Sequence, residues 1–302
     1  MISTRPEISA VFVGDIMLDR GVRRQIEKHG IYYPFEKITS VLKRHDIVFC
    51  NLESIISNKG HAIKKPITFR ADTSLIKALK WAGFNVINIA NNHALDFGRN
   101  GLKDCIKRLA DNDFNTVGGG NTLKEAYRPL IIKKDSIKLA FVSYCDIATG
   151  VPERKNVPEI ARFNLDTALS TIRRIKDSVD FVIVSLHWGT EYVHYPSRNQ
   201  KKVAHSLIDA GASIIIGHHP HVIQEVEFYK GKTIFYSLGN FIFDQRGKER
   251  NEGIMFACTF TKDSITNITL IPYRIKGMRP ELLTHEEKVD FIRRYKDILH
   301  LY

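Results

Sequence analysis

Behind the apolar run of "SIIIGHHPHVIQ" (213–224) stand His218, His219 and His221, imidazoles placed where a buried strand should end. Alternate residues of an extended segment point the same way, so His219 and His221 are expected to present their rings from one edge. Four further apolar runs close on groups of the same chemical kind: Asp15, Glu53, Asn92 with His93, and His187. Carboxylate, amide oxygen and imidazole together suit zinc, manganese or iron better than an all-oxygen calcium site. Singly, each has an ordinary structural role: Asp15 as a cap for a helix starting near Gly21, Glu53 as the partner of a lysine, a strand-end histidine as a hydrogen-bonded core residue. Five strand ends carrying such groups at once predict a shared metal or acid–base site.

The elements that must position these residues are short apolar runs, 8–15, 46–53, 84–93, 180–189 and 213–221, each read as a buried strand. Helical patterns lie between them, 72–83 closing on Gly83 and 197–211 following Pro196 and closing on Gly211. This alternation predicts an α/β fold with parallel strands and a site beyond their carboxyl ends. From about Val222 the rhythm changes. Two strand-like runs flank "YKGK", a hairpin signal, and "GIMFACTF" (253–260) and "SITNITLIPYRI" (264–275) read as further antiparallel strands, so a mixed sheet is expected. The tail 284–302 has apolar residues at helical spacing and is expected to pack on the body.

With 302 residues, 43% hydrophobic and 26% charged, the chain has the composition of an ordinary soluble globular protein, expected to form one domain over 1–302. Forty-five Lys and Arg against 33 Asp and Glu give a formal charge of +12, which favours an acidic partner. Much of that excess is assigned to solvated helix faces such as "KDCIKRLADN" (103–112). No basic motif with interleaved aromatic residues is present, and no nucleic-acid partner is expected. Cys50, Cys105, Cys145 and Cys258 are scattered without a C-x-x-C pair, which predicts reduced thiols. The opening residues lack a signal-peptide layout, and no run approaches the roughly 20 apolar residues of a membrane span. A cytoplasmic location is expected; the oligomeric state is not legible.

Six stretches in order, "GDIMLDR" (14–20), "NLE" (51–53), "ANNHALDFG" (90–98), "SLHWGTEY" (185–192), "GHHPHVIQ" (217–224) and "YSLGNFIFD" (236–244), resemble the motif series of the CapA family. These are bacterial poly-γ-glutamate capsule synthesis proteins related to calcineurin-like metallophosphoesterases. The resemblance covers a motif core of 8–244 and is weaker over 245–302. It implies a metallophosphatase-like α/β/β/α sandwich with mixed β-sheets and a metal centre at the strand ends. Carried over by position, Asp15 and His221 hold one metal, Asn92, His187 and His219 a second, and Glu53 bridges them where the wider superfamily has aspartate. His93 becomes the acid that protonates the leaving group and Asp96 the residue that orients it; His218 has no motif partner.

Met17 stands where the superfamily's phosphoesterases have histidine, a form the CapA family shares. A thioether is a poor ligand for a hard dication, so one firmly bound divalent ion (Mn, Fe or Zn) and a second, weaker one are expected. Such an ion would bring the pKa of its water from 15.7 to about 7, which points to hydrolysis of an amide or a phosphoester. Arg20 and the basic stretch "KKPITFR" (64–70), Arg70 above all, are the candidate clamps for an anionic substrate. Glu191, Tyr192 and Asn240 fall within the motif stretches and are candidates to line the pocket. The substrate implied is poly-γ-glutamate, a related anionic peptide polymer or a phosphoester. Two other readings stay open: a non-catalytic assembly factor, acting through surface cations such as Lys64, Lys65 and Arg70, and metal-independent acid–base chemistry with Asp15 and His93 as the pair.

Overall fold

The computed structural model describes residues 6–300; the first five residues, and the last two of the expected tail helix, lie outside the described residues. The apolar runs form strands that are buried along almost their whole length, as expected of strands covered on both faces. Ile8–Ile16, Ile47–Leu52, Val86–Asn88 and Asn115–Val117 pair in parallel in one sheet. Glu252–Phe260 joins the other side of Ile8–Ile16 antiparallel, followed by Ile265–Lys276 and Arg279–Leu282. Asn240–Ile242 pairs in parallel with the last residues of Ile8–Ile16.

A second sheet runs Val226–Tyr229, Lys232–Phe235, Ile214–His218, Phe181–His187, Ile137–Cys145, Leu130–Lys134. Its four central strands are parallel and its two edge pairings antiparallel. Between the sheets lies a core in which Phe12 meets Phe49 and Phe256 at 5.6 Å and Phe141 at 6.5 Å. Helices Arg20–His29, Leu75–Ala82 and Gly98–Ala110 cover the outer face of the first sheet, and Leu165–Ile175 and Arg198–Ala210 that of the second. The result is an α/β/β/α sandwich with two mixed sheets.

Local chemistry explains where elements depart from their sequence-based bounds. The run 84–93 is strand only at Val86–Asn88, because Asn88 Oδ1 captures the Ala90 amide at 2.8 Å and turns the chain. The pattern at 72–83 becomes helix only from Leu75, since the Asp72 carboxylate holds Ser74 N and Oγ at 2.8 and 2.6 Å in a preceding turn. Helix Arg198–Ala210 opens on a Ser197–Gln200 capping box and closes on Gly211. The "YKGK" hairpin turns through positive φ at Lys230 and Gly231.

Helix His285–Leu299 lays Phe291, Tyr295, Ile298 and Leu299 into the inter-sheet core. The four cysteines are free and buried. Among the described residues no helix is long and apolar enough to cross a membrane.

The central position of Phe12 yields a stability prediction. Phe12→Ala should lower the unfolding free energy by about 3–5 kcal/mol, the loss typical of a large buried aromatic residue. Urea denaturation followed by circular dichroism measures it; a loss under about 1 kcal/mol would mean that the sheets are held elsewhere.

Candidate metal centre

Parallel register delivers the first polar groups to one level. Asp15 pairs with Asn51 across the first sheet, and Asn51 with Asn88. Asn51 Nδ2 donates to Asp15 Oδ1 at 2.8 Å and to His187 Nδ1, at the end of the second sheet, at 3.2 Å. Its carbonyl oxygen accepts from Asn88 and Asn91, and Asn88 Oδ1 accepts from Ser143 of the second sheet at 2.6 Å. This amide ladder is the floor of the site. Sequence reasoning passed over Asn51, although an amide inside an apolar strand two residues before Glu53, hence on the same face, was a readable signal.

Around that floor Asp15, Glu53, Asn92, His187, His219 and His221 are all buried. Ligand atoms of Asp15, Glu53 and His187 lie within 4.8 Å of one another, as do those of Glu53, His219 and His221. Glu53 belongs to both groups, and His221 Nδ1 also lies 3.6 Å from Asp15 Oδ2. The strand stops at His218, and His219 and His221 take φ of +95° and +58°, so a left-handed loop, not strand alternation, brings their rings to 5.7 Å. His219 also lies 4.8 Å from the His187 ring, whose Nε2 donates to Asn92 Oδ1 at 3.0 Å.

The two carboxylates are treated differently. Burial pushes Asp15 upward, but contact with His218, the charge of His221 and the Asn51 bond bring its carboxyl below the ordinary value. His218, with no motif partner, thus has a place: its Nδ1 lies 3.2 Å from Asp15 Oδ1. Glu53 has no hydrogen-bond partner on either oxygen, and burial, then the charges of Asp15 and Glu191, push it well above the carboxylate range. Burial, then the neighbouring His221, hold His219 down to about 4, so its imidazole is neutral, the ligand form, at physiological pH. Its Nδ1 is likewise unpartnered.

Beside these groups His93 Nδ1 bonds Asp96 Oδ2 at 2.6 Å, and its Nε2 faces Glu53 Oε1 at 3.8 Å. Lys65 Nζ reaches Asp96 Oδ1 at 3.0 Å and the Asn92 carbonyl at 2.8 Å, placing this lysine inside the site wall. Phe69 lies against the His93 ring at 4.1 Å. Met17 is packed in the core under the helices, its sulfur accepting from Asp19 N at 3.1 Å. Asp19, not Asp15, caps the helix Arg20–His29.

The expected anion clamps are otherwise engaged. Arg20 forms an ion pair with Asp244, its Nε 3.1 Å from Oδ2, a partner 224 positions away that no local pattern reveals. Arg70 donates to the Lys59 and Gly60 carbonyls and lies 3.5 Å from the centroid of the Phe97 ring. Lys64 has no ion-pair partner among the described residues. Asn240 is buried: its Oδ1 accepts from His221 Nδ1 at 2.9 Å, and its Nδ2 donates to Gln245 Oε1 and the Arg250 carbonyl. It therefore holds a ring in place. Tyr192 is 40% exposed with φ of +65°, its ring 6.2 Å from His221, and Glu191 stands exposed beside it.

Known proteins resemble the chain in sequence and in fold. The family described as "Bacterial capsule synthesis protein PGA_cap" matches residues 9–245. Capsule biosynthesis protein CapA of Bacillus anthracis is 34% identical over 287 residues, 92% of this chain and 70% of that protein. PGA biosynthesis protein CapA of Bacillus subtilis (strain 168) is 33% identical over 277 residues, 90% of this chain and 73% of that protein. Among solved structures, the NAD nucleotidase of Haemophilus influenzae superposes with a TM-score of 0.55 at 13% identity, covering 97% of this chain and 63% of that one. The 5'-nucleotidase precursor of Thermus thermophilus gives 0.53 at 12%, covering 98% and 60%. Those two likenesses speak for the calcineurin-like metallophosphoesterase fold, and the extent of the sequence match settles the rest: the chain belongs to the bacterial capsule synthesis protein PGA_cap family.

Proposed function

We propose that this chain is a divalent-metal-dependent hydrolase that cleaves amide bonds of poly-γ-glutamate or a related anionic peptide polymer. The observation that supports this most is Glu53, a fully buried carboxylate with neither oxygen hydrogen-bonded, surrounded by Asp15 and three imidazoles. An uncompensated buried charge costs several kcal/mol, and a dication is the charge that fits this donor set. Asp15, Glu53, His187, His219, His221 and the Asn92 amide oxygen are the groups that would hold it. The mix of two carboxylates with imidazoles suits manganese, iron or zinc. A cation bound there supplies a Lewis acid that polarises a carbonyl or phosphoryl oxygen and acidifies water to a pKa of about 7.

The chain's own residues perform the proton work. Asp96, anchored by Phe69 N at 2.8 Å and by Lys65, fixes His93 through Nδ1. Nε2 is left as the atom that takes a proton from the attacking water and gives it to the departing nitrogen as the C–N bond breaks and the C–O bond is made. The substrate class follows the relatives, named for capsule and PGA biosynthesis and, in Mycobacterium tuberculosis, as a probable polyglutamine synthesis accessory protein. The chain acts as one unit over 1–302 in this reading, because residues beyond the matched stretch hold Asn240 and through it His221.

Elemental analysis of protein purified without chelator should find one or two equivalents of manganese, iron or zinc, lost in His219→Ala with His221→Ala. Chelation should lower the melting temperature of the wild type and leave the double variant unmoved. Metal-free protein after reconstitution would overturn the proposal.

With the metal in place, His93→Ala should retain the ion while cleavage of γ-linked glutamate oligomers, followed by chromatography, falls by about 10²–10⁴-fold. Asp96→Asn should lose less. Cleavage of phosphoesters but not of oligomers would move the substrate class, and undiminished activity in His93→Ala would remove its role as the acid.

A further inference from the structure

An anionic polymer substrate, the reading on which this inference rests, requires a cation beside the centre that is free to meet a carboxylate. Arg20 and Arg70 do not qualify, the first being neutralised by Asp244 and the second donating to backbone carbonyls. One arginine outside the matched stretch does. Arg250 lies over the Tyr192 ring, its guanidinium carbon 4.0 Å from the centroid, and the same ring lies 6.2 Å from that of His221. A single aromatic ring thus separates the guanidinium from a member of the centre.

The position is built. Asn240, which fixes the His221 ring through Oδ1, holds the Arg250 carbonyl through Nδ2 at 3.0 Å. The same Nδ2 takes Gln245 Oε1 at 3.1 Å, and Gln245 Nε2 donates to the Tyr192 hydroxyl at 3.2 Å. Glu249 is drawn aside to His194 at 3.1 Å, and Lys248 to Asp290 at 2.9 Å. Arg250 has no carboxylate partner among the described residues; its one hydrogen bond from the guanidinium is a 3.4 Å contact to the Arg246 carbonyl. Stacking on tyrosine leaves the donors at the guanidinium edge available for bidentate binding of a planar carboxylate.

We propose that Arg250 is the residue that binds a substrate carboxylate at the rim of the centre, with Tyr192 as the platform that holds the guanidinium in reach. A polymer carrying one carboxylate per repeat would then be registered so that a neighbouring amide faces His93. Exposed Arg246, four residues earlier and without that platform, contributes only general charge.

The test is isothermal titration of metal-loaded protein with a short γ-linked glutamate oligomer, with inorganic phosphate as the second probe. Arg250→Ala should weaken oligomer binding about tenfold or more, Arg250→Lys should recover part of it, and Arg246→Ala should change it less than about threefold, all at unaltered metal content and melting temperature. Oligomer binding that Arg250→Ala leaves unchanged overturns this assignment alone. A metal-loaded wild type that binds no oligomer overturns the polymer reading and the assignment together. Phosphate binding without oligomer binding, lost in Arg250→Ala, overturns the carboxylate as the ligand.

Discussion

The Asn51 side chain bonds to Asp15 in one sheet and His187 in the other through a single Nδ2, while its oxygen collects Asn88 and Asn91. Each of these groups is buried, so each needs a partner, and the amide supplies them at the level where both sheets end. Asn88 completes the link by accepting from Ser143. The distance between the sheets at the site is therefore set by hydrogen bonds, whereas lower down it is set by phenylalanine packing. Without the amide, Asp15 and His187 would lose the geometry that makes them candidate ligands of one centre.

Electrostatics divides the roles of the two carboxylates. Asp15 receives the Asn51 amide, the His219 N–H at 3.1 Å and the nearby imidazole of His218. Glu53 receives nothing and bears the repulsion of Asp15 and Glu191. A buried carboxylate left in that condition stores unfavourable energy that a positive ion would relieve. His187 and His219, held neutral by burial, complete a set that is costly to assemble for packing alone.

Much of this was legible in the sequence because burial writes itself as apolar runs. Strands covered on both faces read as continuous hydrophobic stretches, and the polar residue that ends each run marks the sheet's edge. Three kinds of information were absent. Side-chain capture of the backbone shortened the strand before Asn92, a local competition that hydrophobicity does not report. Left-handed φ at His219 and His221 decided which rings face each other, and nothing in "HHPH" encodes it. Arg20 with Asp244, and Arg250 with Tyr192, depend on pairings across the whole fold, which a count of cations along the sequence does not report.

The stretch after Asp244, where the motif resemblance weakens, has its own claim on the site. Gly14 has no side chain, and a Cβ there would overlap the Gly239 carbonyl; this closeness lets Asn240 pair beside Asp15. The Asn240 carbonyl then accepts from the Tyr273 hydroxyl at 2.6 Å, a residue of the antiparallel strand Ile265–Lys276. That strand is tied in turn to the terminal helix by Glu252, a buried carboxylate shared between Arg274 and Arg294. Removing either arginine would leave the buried Glu252 carboxylate less compensated, which is expensive, so the triad fixes the position of what it joins. The stretch 245–300 is therefore no appendage to the motif core; it holds Asn240, and Asn240 holds both His221 and the loop bearing Arg250.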